Sequence, residues 1–358
     1  MNIVLRKELL SEMVSTVSTA LVKNPTLRAH SYITFHTFDN GLLLSASSPE
    51  ISVQMFEAVQ LGEQLAFGVD GFLFAEIVKK LSGETVTLNV SPDITVLKVS
   101  SGPMHLNINI VGEDCFPMPH NYQHMNFVPT KGLIECIKSV SYAASVDETR
   151  SFLMGVFINE TEVVATDGFR LSLRAHENDL TGIIDPQEGT IIPSGAIDKI
   201  AKIFKDKELN ICADQSSIHL NNGRVAASVR KVAKDYLKYK GIILVDGHDE
   251  LTVKKEDFIS ALEFVLVATR DDKTVNLTAS NGTLKIWASN DKVSHIEQVI
   301  EAQFNNNCDI TFDSTFLLDF AKRAKNDTIT IEMRGANKQI IIREGNSINV
   351  IMPKKRTR

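Results

Sequence analysis

The chain has 358 residues, of which 43% are hydrophobic and 23% charged, with a formal net charge of −6 at pH 7. That length sets a prior of two or three units, and the composition gives ample core and excludes a disordered chain. The acidic balance disfavours a nucleic-acid partner unless positive charge is gathered on one surface.

Cys115, Cys136, Cys212 and Cys308 are scattered, with no C-x-x-C and no His at ligand spacing. Neither a disulfide framework nor a zinc site is expected, no cofactor is implied, and a reducing cytoplasm fits best. The opening "MNIVLRKELLSEM" carries charge too early for a signal-peptide core. No apolar run approaches the roughly 18 residues of a membrane span, so no membrane association is expected.

In chain order, a short strand, a charged break and a helix open at Met1, in "MNIVLRKELLSEMVSTVSTA". The alternating runs "YITFHTF" and "LLLSAS" follow, split by the turn Asp39-Asn40-Gly41. From Val69, "VDGFLFAEIVKKLSGETVTLNV" predicts a helix of about ten residues, a polar break and a strand, and "TVLKVSS" and "HLNINIV" extend the sheet. The pattern then restarts with "MNFVPTKGLIECIKSVSYAA" at Met125 and "ELTVKKEDFISALEFVLVAT" at Glu250. In register across the three lie Leu9, Leu10 and Met13, then Leu133, Ile134 and Ile137, then Phe258, Ile259 and Leu262. This spacing gives one buried helical face.

The second helix also recurs, in "IPSGAIDKIAKIFKDKELNICA" from Ile192 and "FDSTFLLDFAKRAKNDTITIEM" from Phe312. Asp70, Ser194 and Ser314 lie at or next to the expected N-caps. The breaks are Ser82-Gly83, Lys205-Asp206 and Asn326-Asp327, and 17 residues separate Val69 from Val86, Ile192 from Leu209 and Phe312 from Ile329. Chance amphipathic helices would not keep that spacing. Turns at Asn221-Asn222-Gly223 and Asn281-Gly282, the latter between "TVNLTAS" and "TLKIWAS", complete the plan. The class is α+β: three tandem repeats of antiparallel sheet with two helices each, at 1–121, 122–246 and 247–358.

On the second helices the apolar stripe is Phe74, Ile77, Val78 and Leu81, then Ile197, Ile200, Ala201 and Phe204, then Leu317, Phe320, Ala321 and Ala324. Lys79, Lys202 and Lys322 share one aligned position on the opposite face, with Lys80, Lys199 and Arg323 beside them and Lys138 on a first helix. Any one lysine reads as solvated surface. Three in register read as a basic surface for sequence-independent phosphate contact, and the lack of interleaved aromatics argues against base stacking.

The stretch "VSYAASVDETRSFLMGVFI…VVATDGFRLSL", with "EDCFPMP" at 113–119 and "NVIMPKKRTR" at the end, resembles the bacterial DNA polymerase III beta subunit, the sliding clamp family. The resemblance spans the whole chain. It implies a head-to-tail homodimer closing a ring around duplex DNA, twelve helices lining the hole, and a non-catalytic processivity factor. The implied partners are double-stranded DNA, the polymerase III alpha subunit, the clamp loader and other proteins with a clamp-binding motif. The chain itself has no nucleotide-binding glycine loop.

The same resemblance places a partner-peptide pocket at Leu153, Thr166, Gly168, Phe169, Arg170, Leu171, Ile242, Val350, Ile351, Met352 and Pro353. It places the dimer contact at Leu106 and Ile108 against Leu266 and Val267. Departures from the family pattern are Phe169 for His, Leu237 for Pro, Gly241 near a usual Arg, Asp272 for an aromatic residue, and the basic tail Lys354 to Arg358. They imply a divergent or second clamp with altered partners. The competing readings are a clamp-like scaffold that does not bind DNA and a hydrolase built on Asp167. Against the hydrolase, Asp167-Gly168 reads as a type I′ hairpin turn, with Arg170 positioned by a carboxylate. Trp287 and Cys136 read as packing residues.

Overall fold

The computed structural model describes residues 1–122, 124–185, 188–204, 208–243, 249–269, 272–289 and 295–355. The first repeat runs β1 (Asn2–Arg6), α1 (Lys7–Val17), β2 (Tyr32–Phe38), β3 (Gly41–Ser47), β4 (Ile51–Glu57) and β5 (Leu65–Asp70). It continues with α2 (Gly71–Lys80), β6 (Thr85–Val90), β7 (Val96–Ser101) and β8 (Met104–Gly112). The second repeats this order: β9 (Val128–Lys131), α3 (Leu133–Val140), β10 (Gly155–Ile158), β11 (Glu162–Thr166), β12 (Arg170–Ala175) and β13 (Thr190–Pro193). Then come α4 (Ser194–Ile203), β14 (Glu208–Ala213), β15 (Ser217–Asn221), β16 (Val225–Arg230) and a short connecting helix α5 (Lys240–Ile243). The third has β17 (Asp249–Lys254), α6 (Lys255–Ala268), β18 (Thr274–Ser280), β19 (Thr283–Ala288) and β20 (Ile296–Phe304). It ends with β21 (Cys308–Asp313), α7 (Ser314–Ala321), β22 (Thr328–Met333), β23 (Ile340–Glu344) and β24 (Ser347–Ile351).

Two compact units result. The first holds Met1–Glu135, Asn178–Asp185 and Ile192–Ala233, and the second holds the rest of the described chain. Each carries one twelve-stranded sheet, in the orders β1-β6-β7-β8-β5-β2-β3-β4-β16-β15-β14-β9 and β13-β10-β11-β12-β24-β23-β22-β17-β20-β19-β18-β21. The reason is strand pairing across repeat borders. β4 pairs antiparallel with β16, the last strand of the second repeat, with Ile51 opposite Val229. The same pairing recurs one repeat later between β12 and β24, with Arg170 opposite Ile351.

The apolar stripes pack as their spacing requires. In the first unit Phe35 stacks on Phe67 at 4.8 Å and meets Phe74 edge-on at 5.6 Å. In the second, Phe258, Leu262, Phe312, Leu317 and Phe320 share one core. Cys136 is buried, and Trp287 donates its indole N–H to Thr278 Oγ1 at 3.0 Å on the sheet, both as packing residues.

The helix starts fall at or next to the expected caps. Asp70 caps α2, its Oδ1 accepting the Leu73 N–H at 2.9 Å. For α7 the cap is Asp313, one residue before Ser314, because its carboxylate reaches forward to accept the Thr315 N–H at 2.9 Å. Pro193 occupies the cap position of α4, and Ser194, inside the first turn, has no hydrogen-bond partner for its hydroxyl among the described residues. α7 is also shorter than expected. It closes at Ala321 with Lys322 as the C-cap, so Lys322 and Arg323 sit on the turn that ends the helix.

Candidate partner groove and basic helix faces

The hairpin joining β11 to β12 pairs Thr166 with Leu171. Its tip is held by side chains more than by the backbone. Asp167 Oδ1 accepts the N–H groups of Phe169 and Arg170, both at 2.9 Å, and Oδ2 accepts Arg170 Nε at 3.0 Å. Thr166 Oγ1 donates to the Arg170 carbonyl at 2.6 Å and accepts the Gly168 N–H at 3.0 Å. Asp167 and Arg170 therefore close the hairpin, and Gly168 and Phe169 are its two central residues. Gly168 alone has a positive φ, +92°. A type I′ turn needs positive φ at both centres, so the expected turn is corrected to the type II′ pattern, with glycine first. A carboxylate committed to three N–H donors is a structural brace, which leaves the Asp167 hydrolase reading without its active group.

Arg170 extends the brace. Nη1 donates to Asp319 Oδ2 at 2.7 Å and Nη2 to the Tyr142 carbonyl at 2.8 Å. Its guanidinium carbon lies 4.6 Å from the Phe316 ring centre and 5.4 Å from that of Tyr142. Tyr142 O–H and Ser172 O–H both donate to Asn349 Oδ1, at 2.9 and 2.8 Å. Burial raises the Tyr142 pKa. Tyr142, Phe316, Asp319 and Asn349 carry no motif visible in sequence; the only hint is that a part-buried Arg170 needs a carboxylate.

Cross-strand pairing sorts the expected pocket residues. Thr166, Leu171 and Val350 stand opposite one another across β11, β12 and β24, so they share one face, and the row continues to Ile341 on β23. Arg170 and Ile351 form the neighbouring pair and point the other way. Leu153, Thr166, Leu171, Val350 and Ile351 are all buried, whereas Phe169 is 59% and Met352 38% exposed. Gly168 is exposed, Ile242 and Pro353 are half-buried, and Gln339 Nε2 donates to the Ile242 carbonyl at 3.1 Å. The Met352 N–H donates to the Phe169 carbonyl at 2.8 Å and ties the two exposed apolar residues together. The arrangement is a buried row of Thr166, Leu171, Val350 and Ile341 beside two exposed apolar side chains, Phe169 and Met352.

The basic residues lie on α2, α3 and α4 and on the turn after α7. Lys80, Lys138 and Lys202 are exposed and Lys199 half-buried, with no ion-pair partner among the described residues. Lys79 meets Glu76 at 2.7 Å and Lys322 meets Glu263 at 2.6 Å. Both pairs are open to solvent and screened by it, so neither holds its lysine firmly. Arg323 is more committed: it lies 4.3 Å over the Tyr142 ring and donates to the Asp319 carbonyl at 2.7 Å.

Among the described residues, two strands inside the sheets are paired on one side along only part of their length. β8 pairs with β7 through Met104–Asn109 but with β5 only through Ile110–Gly112. β20 pairs with β19 through Ile296–Glu301 but with β17 only through Ala302–Phe304. Leu106 is half-buried and Ile108 buried on the first; on α6 Leu266 is half-buried and Val267 is 62% exposed.

Models of the DNA polymerase III beta subunit match end to end: the N-terminal domain over residues 1–120, the central domain over 127–236 and the C-terminal domain over 242–355. The chain belongs to the DNA polymerase III beta subunit family. A "Beta sliding clamp" of Bacillus subtilis is 24% identical, covering 98% of each chain, and one of Chlamydia pneumoniae is 22% identical, covering 99% of this chain and 98% of its own. The fold agrees with the crystal structure of a Bacillus subtilis clamp, at TM-score 0.90 and 22% identity over 100% of both chains. It agrees equally with the beta subunit of Pseudomonas aeruginosa, at TM-score 0.91 and 20% identity over 99% of this chain and 100% of that one. As a sliding-clamp subunit the chain is a processivity factor of DNA polymerase III and not an enzyme.

The residues expected to depart from the family pattern take definite places. Phe169 stands exposed at the hairpin tip. Leu237 is half-buried beside Tyr236, which stacks on Phe157 at 4.9 Å, and Gly241 lies in α5. The Asp272 carbonyl accepts Lys354 Nζ at 2.7 Å, so the start of the basic tail is anchored near β21. Arg356, Thr357 and Arg358, and the break Lys205-Asp206, lie outside the described residues.

Proposed function

We propose that two copies of this chain close a ring of six domains around duplex DNA, with each chain divided at 1–121, 122–246 and 247–358. The observation that carries this reading is the repeated border pairing. The fourth strand of repeat one pairs with the eighth of repeat two, and the fourth of repeat two with the eighth of repeat three. Among the described residues the fourth strand of repeat three, β20, and the eighth of repeat one, β8, are the two counterparts without this border partner, and each is open on one side along part of its length. Their burial patterns run alike, alternating along Ile296–Phe304 and Met104–Gly112. Applying the same operation once more joins β20 to β8 of a second copy, head to tail, and two copies close the ring. Leu106 and Ile108 then meet the partner near its Leu266 and Val267, and these two open segments are covered.

Lys79, Lys80, Lys138, Lys199, Lys202 and Lys322, with Arg323 adding charge at the α7 end, line the hole and contact phosphates without reading sequence. The groove of Leu153, Thr166, Gly168, Phe169, Leu171, Ile242, Val350, Met352 and Pro353 takes linear peptides of the polymerase III alpha subunit, the clamp loader and other partners, while Arg170 and Ile351 support it from behind. A clamp from Bartonella birtlesii of the same fold, at TM-score 0.90, is described bound to griselimycin, which supports a ligand seat in this architecture. Phe169 and the Lys354 anchor mark a divergent clamp with altered partner choice. No helix of the described residues is long and apolar enough to cross a membrane, in keeping with a cytoplasmic protein. Sedimentation at micromolar concentration tests the assembly: a dimer of twice the 39.6 kDa chain mass is expected, and a monomer at all concentrations would refute it.

A further inference from the structure

The β4–β16 border repeats the construction of the β12–β24 groove with its chemistry inverted. The Arg230 N–H donates to the Glu50 carbonyl at 2.8 Å, as Met352 does to Phe169 at 2.8 Å. Ile51 opposes Val229 as Arg170 opposes Ile351. Ser48 plays the part of Asp167, its Oγ accepting the Ile51 N–H at 3.2 Å. With the frames superposed, the row Thr166, Leu171, Val350, Ile341 becomes Ser47, Ser52, Ser228, His219. The rim residues Phe169 and Met352 become Glu50 and Arg230, both exposed.

This position is a cavity of about 370 Å³, lined by Ser47, Glu50, Ser52, Ser228 and Arg230 among others, with Met118 to His120 along one wall. The size lies within the range of ligand sites. Its floor is pre-organised. Ser228 Oγ is held by Tyr122 O–H at 2.8 Å and His219 Nδ1 at 2.7 Å, and His219 Nε2 is held by Asp214 Oδ2 at 3.0 Å. Burial keeps the His219 pKa low, so the ring is neutral and the floor carries hydroxyls, not charge. Arg230 has no ion-pair partner among the described residues, and Glu50 is the one carboxylate in the lining.

We propose that the β4–β16 junction is a second peptide seat, polar where the first is apolar, which takes a short extended segment whose acidic side chain pairs with Arg230. A peptide fits because the seat shares the turn, strand ends and connector wall of the β12–β24 groove, and the proposal rests on reading that groove as a peptide seat. Serine hydroxyls satisfy a polar backbone, and the unpaired guanidinium selects a carboxylate.

The test uses the full-length chain and fluorescence anisotropy with three labelled pentapeptides: Ser-Asp-Glu-Asp-Ser, Ser-Lys-Arg-Lys-Ser and the apolar Gln-Leu-Ala-Leu-Phe. The acidic peptide should bind saturably and the basic one should not. Arg230→Glu should weaken the acidic peptide by at least about tenfold, the loss of one charge-assisted contact, and Glu50→Gln should strengthen it. Both side chains are exposed, and near-ultraviolet circular dichroism confirms folding. Ser52→Leu should block the acidic peptide by filling the floor. Phe169→Ala should weaken only the apolar peptide. No saturable acidic binding, binding indifferent to Arg230→Glu, or equal displacement by free glutamate would overturn the second seat. Failure of the apolar peptide alone would overturn the β12–β24 reading and leave the acidic result standing.

Discussion

Arg170 Nη1 donates to Asp319 Oδ2 at 2.7 Å, and this bond joins β12 of the second repeat to α7 of the third, 149 residues away. The same guanidinium braces Asp167 and caps the Tyr142 carbonyl, so one side chain fixes the hairpin tip, a helix and a turn together. Arg170→Ala removes three charge-assisted bonds and leaves a part-buried Asp167 short of a donor. A loss of about 2–3 kcal/mol is expected in urea unfolding, together with weaker apolar peptide binding. Arg170→Lys should recover little, because a point charge cannot serve three directions. Wild-type stability in Arg170→Ala would contradict the bracing role.

Gly168 sits at φ +92°, and a Cβ there would approach Arg150 Nη1 to 3.0 Å. The flexible Arg150 tip can yield; the backbone angle cannot. Gly168→Val should cost roughly 1–3 kcal/mol and distort the rim that carries Phe169. A denaturation midpoint unchanged by the substitution would remove the type II′ assignment.

Much of this was legible in the sequence. Helix periodicity, the aligned lysines and the hairpin at Asp167 follow from local spacing, because each is set within a few residues. The contacts of Arg170 were not legible: Tyr142 and Asp319 come from a turn and a helix whose approach depends on the β12–β24 register. Spacing placed the caps at or next to Ser314 and Ser194 but could not choose Asp313 and Pro193, because a one-residue shift decides whether a side chain faces the orphan N–H groups. Nor could spacing show that Ser47, Ser52 and Ser228 form one row, since Ser228 lies 176 residues beyond Ser52 and meets it only across a repeat border.

The basic surface predicts a salt signature. Changing Lys79, Lys202 and Lys322 together to Glu should shorten retention on nicked circular DNA and reduce the salt slope by about 0.9 per lost phosphate contact. Peptide binding should be untouched. Unchanged retention would favour the scaffold reading.

His36 predicts a pH effect. It is buried beside Thr34, and burial lowers its pKa from 6.5 to about 4. Its folded pKa lies below the unfolded value, so the unfolded chain binds the proton first as pH falls. Stability is full above pH 6.5 and declines toward pH 4, by up to about 3 kcal/mol. His219, also lowered by burial, acts in the same direction. Urea unfolding at pH 7 and pH 5 should show a smaller difference for His36→Gln than for wild type; an equal difference would exclude His36 as a source.

Ring closure predicts that the open edges are essential. Leu106→Arg or Val267→Asp should convert the dimer to a monomer with unchanged circular dichroism, since both side chains are at least part-exposed in the single chain. A dimer that persists in both variants would place the contact elsewhere.

The central claim is topological, and one measurement addresses it directly. Labelled protein is assembled on nicked circular DNA with a clamp loader, isolated by gel filtration, and the DNA is then cut once with a restriction enzyme. Protein that stays on the circle and runs off after the cut is the predicted result. Protein that remains equally bound to the linear product, or never associates with the circle, would contradict an encircling ring.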